Sequence, residues 1–114
     1  MESNEIKKII PFDDIWNNLE VLESRLLEVS SSSNEYLTSI SQYLIKAGGK
    51  RFRPIVTSLA GKFGKEKDNI SNIIDAGVCV ELIHIGSLYH DDVIDNATTR
   101  RGVESSNSKW NSTL

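Results

Sequence analysis

Residues 81–95 read ELIHIGSLYHDDVID, and this stretch indicates the kind of fold that the chain adopts. Apolar side chains recur at three- and four-residue intervals through it and through the dozen residues before it, which is the period of one buried helix face. Three aspartates, Asp91, Asp92 and Asp95, close the stretch. We therefore predict one long helix over residues 70–95 whose last turn carries an acidic cluster.

Shorter helices are expected on the N-terminal side of this stretch. Asn34 follows four serines and is a good N-cap, and Gly48 and Gly49 are suited to end the helix that Asn34 begins. Pro54 is a favoured first-turn residue for the next helix. A charged turn and a polar loop complete the predicted pattern. The predicted helices are residues 12–29, 36–47, 54–64 and 70–95, the turn is 65–69, the loop is 96–108, and residues 109–114 begin a further helix.

The composition is that of a globular domain. Of the 114 residues, 39% are hydrophobic and 25% charged, and the net charge of −3 offers no broad basic surface for nucleic acid. No apolar run approaches the roughly 18 residues of a membrane span. The N-terminal ten residues lack the apolar core of a signal peptide, and the single cysteine, Cys79, fits a reducing compartment as a small buried hydrophobe. A cytoplasmic location is therefore expected.

The acidic cluster has the chemistry of a magnesium site. On a helix, Asp91 and Asp95 are four residues apart and share one face, with Asp92 beside them. Crowded carboxylates repel one another unless a cation such as Mg²⁺ joins them, and Mg²⁺ takes further ligands from a phosphate. Arg100 and Arg101 follow closely and suit bidentate capture of phosphate oxygens. The interpretation is a magnesium–diphosphate site, and the alternative is a solvated helix end.

Two further features could bind an anion. In GGKRFRP, residues 48–54, the glycines allow close backbone approach while Lys50 and Arg53 offer cationic donors. His84 lies seven residues before Asp91, roughly 10 Å along the helix, within reach of another part of a bound substrate. The alternatives are a solvated basic loop and a core histidine. His90 is interpreted as structural.

Together, GGKRFRP, ELIHIGSLYHDDVID and TTRRG resemble the trans-isoprenyl diphosphate synthase family, also called polyprenyl synthetases. The resemblance runs from about residue 44 to the end of the chain. It implies an all-α fold, an antiparallel helical bundle that forms the N-terminal part of the isoprenoid synthase fold. It also implies head-to-tail transfer of an allylic prenyl chain onto isopentenyl diphosphate, with release of diphosphate and with Mg²⁺ as the cofactor.

The same resemblance implies roles for individual residues. The aspartates hold Mg²⁺ on the allylic diphosphate, and Arg100, which grips that diphosphate, joins them as a catalytic residue. A second set binds isopentenyl diphosphate, namely Lys50, Arg53, His84 and Arg101. Bulky aromatics four or five residues before the first aspartate keep products short in the family. Gly86 and Ser87 stand there in this chain, which favours a medium- or long-chain polyprenyl product.

The chain departs from the family in length. Members are roughly three times as long and carry a second aspartate-rich motif, so residues 1–114 are expected to be the N-terminal part of a polyprenyl synthetase domain. We expect this part to be inactive alone and to work as a homodimer or with a complementary C-terminal chain. The main alternative is a non-catalytic regulatory or scaffold subunit of a prenyl diphosphate synthase. A plain helical interaction domain and a terpene cyclase fit the three motifs less well.

Overall fold

The elements of the protein are known from a computed structural model that describes residues 3–110, apart from the side chains of residues 3, 4, 66 and 67. Helices dominate, and the single sheet of the described part has two strands of two residues each. The predicted all-α class is confirmed. In chain order the elements are α1 Ser3–Ile9, α2 Asp13–Val29, α3 Glu35–Ala47, α4 Phe52–Gly61, α5 Glu66–Asp95, β1 Thr99–Arg100, β2 Val103–Glu104 and α6 Ser106–Trp110.

The chain divides into two compact units, each with its own buried apolar residues. The first unit comprises Met1–Arg25 and Lys50–Glu81, and the second comprises Leu26–Gly49 and Leu82–Leu114. Each unit buries apolar residues from several helices. The buried apolar residues of the first unit are Ile15, Leu22, Ile55, Ile74 and Val78, and those of the second are Leu26, Leu44, Ile45 and Ile85.

Both ends of α3 follow the sequence-based prediction. The Asn34 side chain accepts hydrogen bonds from the backbone N–H groups of Tyr36 and Leu37, at 2.9 and 3.2 Å, and so satisfies two donors of the first turn. At the other end Gly48 has a φ of 90° and donates its N–H to the carbonyl of Ile45. A residue with a side chain would be strained there, so glycine defines where α3 ends.

The end of α5 is closed by a Schellman motif. Asn96 takes the left-handed conformation with a φ of 51° and donates its N–H to the Val93 carbonyl. The N–H of Ala97 donates to the Asp92 carbonyl at 3.0 Å, which completes the motif. Asparagine tolerates this conformation better than most residues. The helix therefore stops at Asp95, where the sequence predicts.

Several elements differ from the prediction. The short helix α1 and the two strands are not predicted, and α4 begins two residues before Pro54, which is buried in its first turn. Helix α5 begins at Glu66, within the predicted turn at residues 65–69, but its backbone is kinked and non-helical at Asn69, where φ is −128°. Helix α6 covers the last three residues of the predicted loop and the first two of the helix predicted at 109–114, and residues 111–114 of that predicted helix lie outside the described residues.

Some apolar residues of the helices are exposed. On α3, Tyr36 is 58% exposed and Leu37 is 53% exposed. Gln42 of the same helix is buried although it is polar. Its amide nitrogen is satisfied there, because it donates to the Leu27 carbonyl at 2.8 Å and to the Ser31 hydroxyl. Cys79 is exposed rather than buried, although its neighbour Val78 is in the core. Successive residues of an α-helix are 100° apart around its axis, so one apolar residue can face the core while its neighbour faces solvent.

Helix α5 is also long and apolar enough, over Asp68–Asp95, to cross a membrane by length and composition. This corrects the expectation that no stretch of the chain reaches that limit. The core helix of a water-soluble protein passes the same test, and the fully buried carboxylate of Glu81 lies inside this stretch. The apolar length of α5 is therefore weak evidence for a membrane span.

Candidate functional site

The three aspartates at the end of α5 have two different environments. Asp91 and Asp95 are exposed and share a helix face, whereas Asp92 is fully buried, at 0% exposure. All three lie at the negative end of the helix dipole, where carboxylates are disfavoured. A cationic partner is therefore needed here, and for Asp92 the protein supplies one.

Arg100 is the partner of Asp92. Its Nε donates to both carboxylate oxygens, at 3.0 and 3.2 Å, and its Nη2 donates to Oδ1 at 2.6 Å. These bonds raise the pKa of the Arg100 guanidinium above its ordinary value; partial burial opposes the rise, and the charges of Asp91 and Asp95 add to it. Arg100 is thus held beside the acidic cluster by a direct ion pair, and its role as a ligand of the allylic diphosphate stays a prediction.

A tight hairpin brings Arg100 back to α5. Thr99 pairs with Glu104 and Arg100 pairs with Val103, so Arg101 and Gly102 form the two-residue turn. Both turn residues have positive φ, 54° and 76°, as the favoured hairpin turns require. The polar composition of this segment predicts a loop, although a glycine turn between Thr98-Thr99 and Val103 is a recognisable hairpin pattern.

Arg101 caps α3 in this structure. Its Nη1 donates to the carbonyls of Leu44, at 2.9 Å, and of Gly48, at the C-terminus of that helix. These are carbonyls without intrahelical partners, and a cation there also complements the helix dipole. The predicted isopentenyl diphosphate ligand Arg101 is therefore engaged with the backbone at the start of the basic loop.

The donor set fits Mg²⁺ through Asp91 and Asp95. Both carboxylates are exposed, are hard oxygen ligands, and leave coordination positions for water and phosphate oxygens. Asp92 is occupied by Arg100, and within residues 3–110 no group of three histidine, cysteine or acidic side chains is arranged around a common point. Two exposed carboxylates match a metal that is normally held by one or two carboxylates plus substrate phosphates.

The cations of the basic loop divide into exposed and buried members. Lys50 and Arg53 are exposed, whereas Arg51 between them is buried and forms ion pairs with Glu23 and Glu81. The sequence pattern indicates Lys50 and Arg53 as anion donors and gives no role to Arg51. The three charges look alike in sequence, and only Arg51 has two acidic partners on other helices. These three cations belong to the first unit, whereas the aspartates belong to the second.

Lys50 also lines an apolar cavity of about 350 Å³ in the first unit. The cavity is formed by α1, α4 and the segments next to them. Its other lining residues are Ile6, Ile9, Ile10, Phe52, Ile55, Val56 and Leu59.

The remaining predicted site residues lie on α5. His84 is half-buried, and its carbonyl accepts a hydrogen bond from the Ser87 hydroxyl at 2.6 Å. Gly86 and Ser87 are both exposed, and a Cβ added to Gly86 would meet nothing within 4 Å. Gly77 is different, since a Cβ there would lie 2.8 Å from the Leu22 side chain. Gly77 thus allows close packing against Leu22, whereas the space beside Gly86 is open.

Comparison with known proteins identifies the family. The model of the polyprenyl synthetase family matches residues 34–114. Heptaprenyl diphosphate synthase component 2 from Bacillus subtilis (strain 168) is 35% identical over 111 residues, which cover 97% of this chain and 31% of that protein. Nonaprenyl diphosphate synthase from Mycobacterium tuberculosis is 42% identical over 78 residues, 68% of this chain and 23% of the relative.

A solved structure shows the same fold. The crystal structure of heptaprenyl diphosphate synthase from Staphylococcus aureus matches with a TM-score of 0.81 and 36% identity, over 87% of this chain and 31% of that one. The chain belongs to the polyprenyl synthetase family and has the all-α isoprenoid synthase fold of this relative over the matched part. It spans less than a third of the length of these relatives.

Proposed function

We propose that this chain supplies the allylic-diphosphate part of a magnesium-dependent prenyltransferase site. The observation that carries the proposal is the pair of exposed carboxylates, Asp91 and Asp95, next to a guanidinium that is already oriented by Asp92. The reaction is head-to-tail condensation of an allylic diphosphate with isopentenyl diphosphate. The product is a medium- or long-chain polyprenyl diphosphate, and the chain works in the cytoplasm.

The ion pair with Asp92 prepares Arg100 for this role. The Nε and Nη2 groups of Arg100 are held by Asp92, and its Nη1 group makes no hydrogen bond to the described residues. A phosphate oxygen can therefore accept from Nη1 without any reorganisation of the guanidinium. Pre-oriented donors of this kind stabilise the charge that develops on a departing diphosphate.

Asp91 and Asp95 would hold the Mg²⁺, whose chemistry when bound is to neutralise the charge of the leaving diphosphate. Lys50, Arg53, His84 and Arg101 are proposed to bind isopentenyl diphosphate. For Arg101 this means that a phosphate would share a guanidinium that also caps α3. None of these groups has to act as a nucleophile, because the double bond of the second substrate attacks.

Gly86 and Ser87 are proposed to leave room for a growing prenyl chain. Both are exposed on α5, four and five residues before Asp91. Phenylalanine at position 87 should shorten the products of an active assembly, and an unchanged product length would contradict this proposal.

The catalytic form is proposed to need a second polypeptide, either a complementary C-terminal chain or a second copy. Helix α5 carries exposed apolar side chains near its end, with Ile83 74% exposed and Ile94 64% exposed. These two residues and Ser87 lie on one face at helical spacing. Exposed apolar patches commonly mark a surface to which another protein binds. The chain alone is accordingly proposed to be inactive.

Binding of inorganic diphosphate tests the metal site directly. Isothermal titration of the chain with diphosphate should show binding with Mg²⁺ present and much weaker binding with EDTA. The variant Asp91→Ala with Asp95→Ala should lose the magnesium-dependent part, because these are the two exposed carboxylates whose charges act on Arg100 among the described residues. Magnesium-dependent binding that survives in this variant would contradict the assignment.

A second candidate is a non-catalytic regulatory or scaffold subunit of a prenyl diphosphate synthase. The observation in its favour is that Arg100 and Arg101 are both engaged by groups of the protein itself. A scaffold should change the product length of a complete synthase even when Asp91 and Asp95 are replaced. Loss of that effect on replacing the aspartates would count against it.

A further inference from the structure

We infer that Arg51 is a positioning residue for the basic loop, because its buried side chain fixes the backbone turn that carries Lys50 and Arg53. The inference rests on the proposed function, in which those two cations bind a diphosphate. Arg51 itself is turned away from solvent and is not a ligand in this account. It acts through the placement of its neighbours.

The side chain of Arg51 is held on two sides. Its Nε and Nη2 donate to the two carboxylate oxygens of Glu23 on α2, the second at 3.1 Å, in a forked arrangement. Its Nη1 donates to Glu81 on α5 at 3.3 Å. The side chain of Arg51 is 5% exposed and that of Glu81 is 2% exposed. All three residues belong to the first unit, so the loop is tied to two helices of that unit.

The backbone of Arg51 is held in an unusual conformation. Its φ of 54° and ψ of 37° are left-handed, and it stands as the N-cap of α4 without a side-chain capping bond. A residue with a Cβ adopts this conformation at a cost that glycine does not pay. Strained backbone of this kind persists where the surroundings determine it. Here the ion pairs of the side chain are the contacts that determine it.

The charges separate the role of Arg51 from that of its neighbours. Two carboxylates, Glu23 and Glu81, face its one guanidinium, so its positive charge is compensated within the protein. Lys50 and Arg53 are exposed on either side of it. A loop that is already ordered in the free protein loses less conformational entropy when it binds, which raises its affinity for a ligand. Loosening Arg51 should therefore weaken anion binding even if the fold persists.

The test compares Arg51→Gly with the wild-type chain by NMR titration with inorganic diphosphate. Glycine keeps the left-handed turn accessible but removes both ion pairs. We expect the backbone amides of residues 50 and 53 to become more mobile, and diphosphate affinity reported by these amides to fall about tenfold. Arg51→Lys should not restore the affinity, because an ammonium cannot make the fork.

Two controls distinguish positioning from general destabilisation. Arg25→Ala removes an exposed ion pair with Asp75 in the same unit, and Ile74→Val lowers stability through the core of that unit. Both should leave the affinity unchanged while the chain is folded. Glu23→Gln, at a partly exposed residue, weakens the fork more gently and should lower the affinity in the same direction even if Arg51→Gly does not fold.

Each outcome has a distinct meaning. Wild-type affinity in Arg51→Gly, or in Glu23→Gln when Arg51→Gly is unfolded, would overturn the positioning role and leave the proposed function intact. Failure of the wild-type chain to bind diphosphate would overturn the proposed function, and the role of Arg51 with it. Equal losses in Arg25→Ala or Ile74→Val would also overturn the inference.

Discussion

At the residue scale, Asp92 and Arg100 show how the acidic cluster is tolerated. A buried carboxylate at the C-terminal end of a helix is unfavourable both for solvation and for the helix dipole. The hairpin places a guanidinium on it with three hydrogen bonds, so one of the three negative charges is compensated inside the protein. Asp91 and Asp95 remain exposed.

Removal of Arg100 should therefore destabilise the fold. Arg100→Met leaves Asp92 buried without its cation, and we expect a loss of about 2–3 kcal/mol in the free energy of unfolding. Arg25→Met, which removes an exposed ion pair with Asp75, should cost about 0–1 kcal/mol. Urea denaturation of the two variants measures the difference. Equal losses would contradict the importance of burial at Asp92.

The sequence was informative about these residues only in part. The spacing of Asp91 and Asp95 predicts a shared face, and both are exposed on that face. The burial of Asp92 depends on the hairpin that returns Arg100, and the burial of Arg51 depends on glutamates 28 residues before it and 30 residues after it. Contacts between residues so far apart in the chain leave no local sequence pattern. The sequence therefore does not distinguish the buried charges, Asp92 and Arg51, from the exposed charges beside them.

At the element scale, helices with strong end signals were predicted closely and weak elements were not. Asn34 and Gly48 define α3, and the long apolar period defines α5. Helix α1 has only seven residues, and the indole of Trp16 on α2 supports its end by donating to the carbonyl of Ile10, the residue that follows it. Short helices depend on such tertiary contacts, which sequence periodicity does not report.

The two glycines of α5 should respond oppositely to alanine. Gly86→Ala meets nothing and should raise the free energy of unfolding by about 0.5–1 kcal/mol, because alanine is the better helix former. Gly77→Ala places a Cβ against Leu22 and should be less stable than Gly86→Ala by about 1–2 kcal/mol. Thermal and urea unfolding of the pair test this. Equal gains would contradict the close packing at Gly77.

Tyr89 should make the contact between α5 and α3 sensitive to alkaline pH. Its hydroxyl donates to the Ile40 carbonyl and accepts from the N–H of Leu44, and burial raises its pKa above 10.0. The unfolded chain therefore loses this proton at lower pH than the folded chain. The stability contributed is complete below pH 10 and is lost as pH rises through the folded pKa.

Unfolding free energies at pH 8 and at pH 10.5 measure this effect. The wild-type chain should lose more stability across that interval than Tyr89→Phe, which has no proton to lose at this position. Tyr36 and Tyr43 are present in both chains and so cancel in the comparison. The same loss in both chains would show that Tyr89 is not responsible.

At the scale of the whole molecule, the motifs of the sequence predicted the family better than local patterns predicted the contacts. The family match covers all three motifs, including the basic loop and the aspartates. Arg100 and Arg101 are predicted diphosphate ligands, and each also donates a hydrogen bond within the protein, to the Asp92 carboxylate and to the Leu44 carbonyl respectively. The relatives are more than three times the matched length, so the catalytic reaction of the whole protein is a proposal for this chain.

The central claim is that this chain contributes a metal–diphosphate site that becomes catalytic when a complementary polypeptide is added. The most direct measurement is incorporation of labelled isopentenyl diphosphate onto an allylic diphosphate by the chain mixed with the C-terminal two thirds of a family member, such as the Staphylococcus aureus relative. We predict magnesium-dependent prenyl transfer by the mixture, none by either polypeptide alone, and none when the chain carries Asp91→Ala. A mixture with Asp91→Ala that is as active as the wild-type mixture, or a wild-type mixture as inactive as the variant, would contradict the claim.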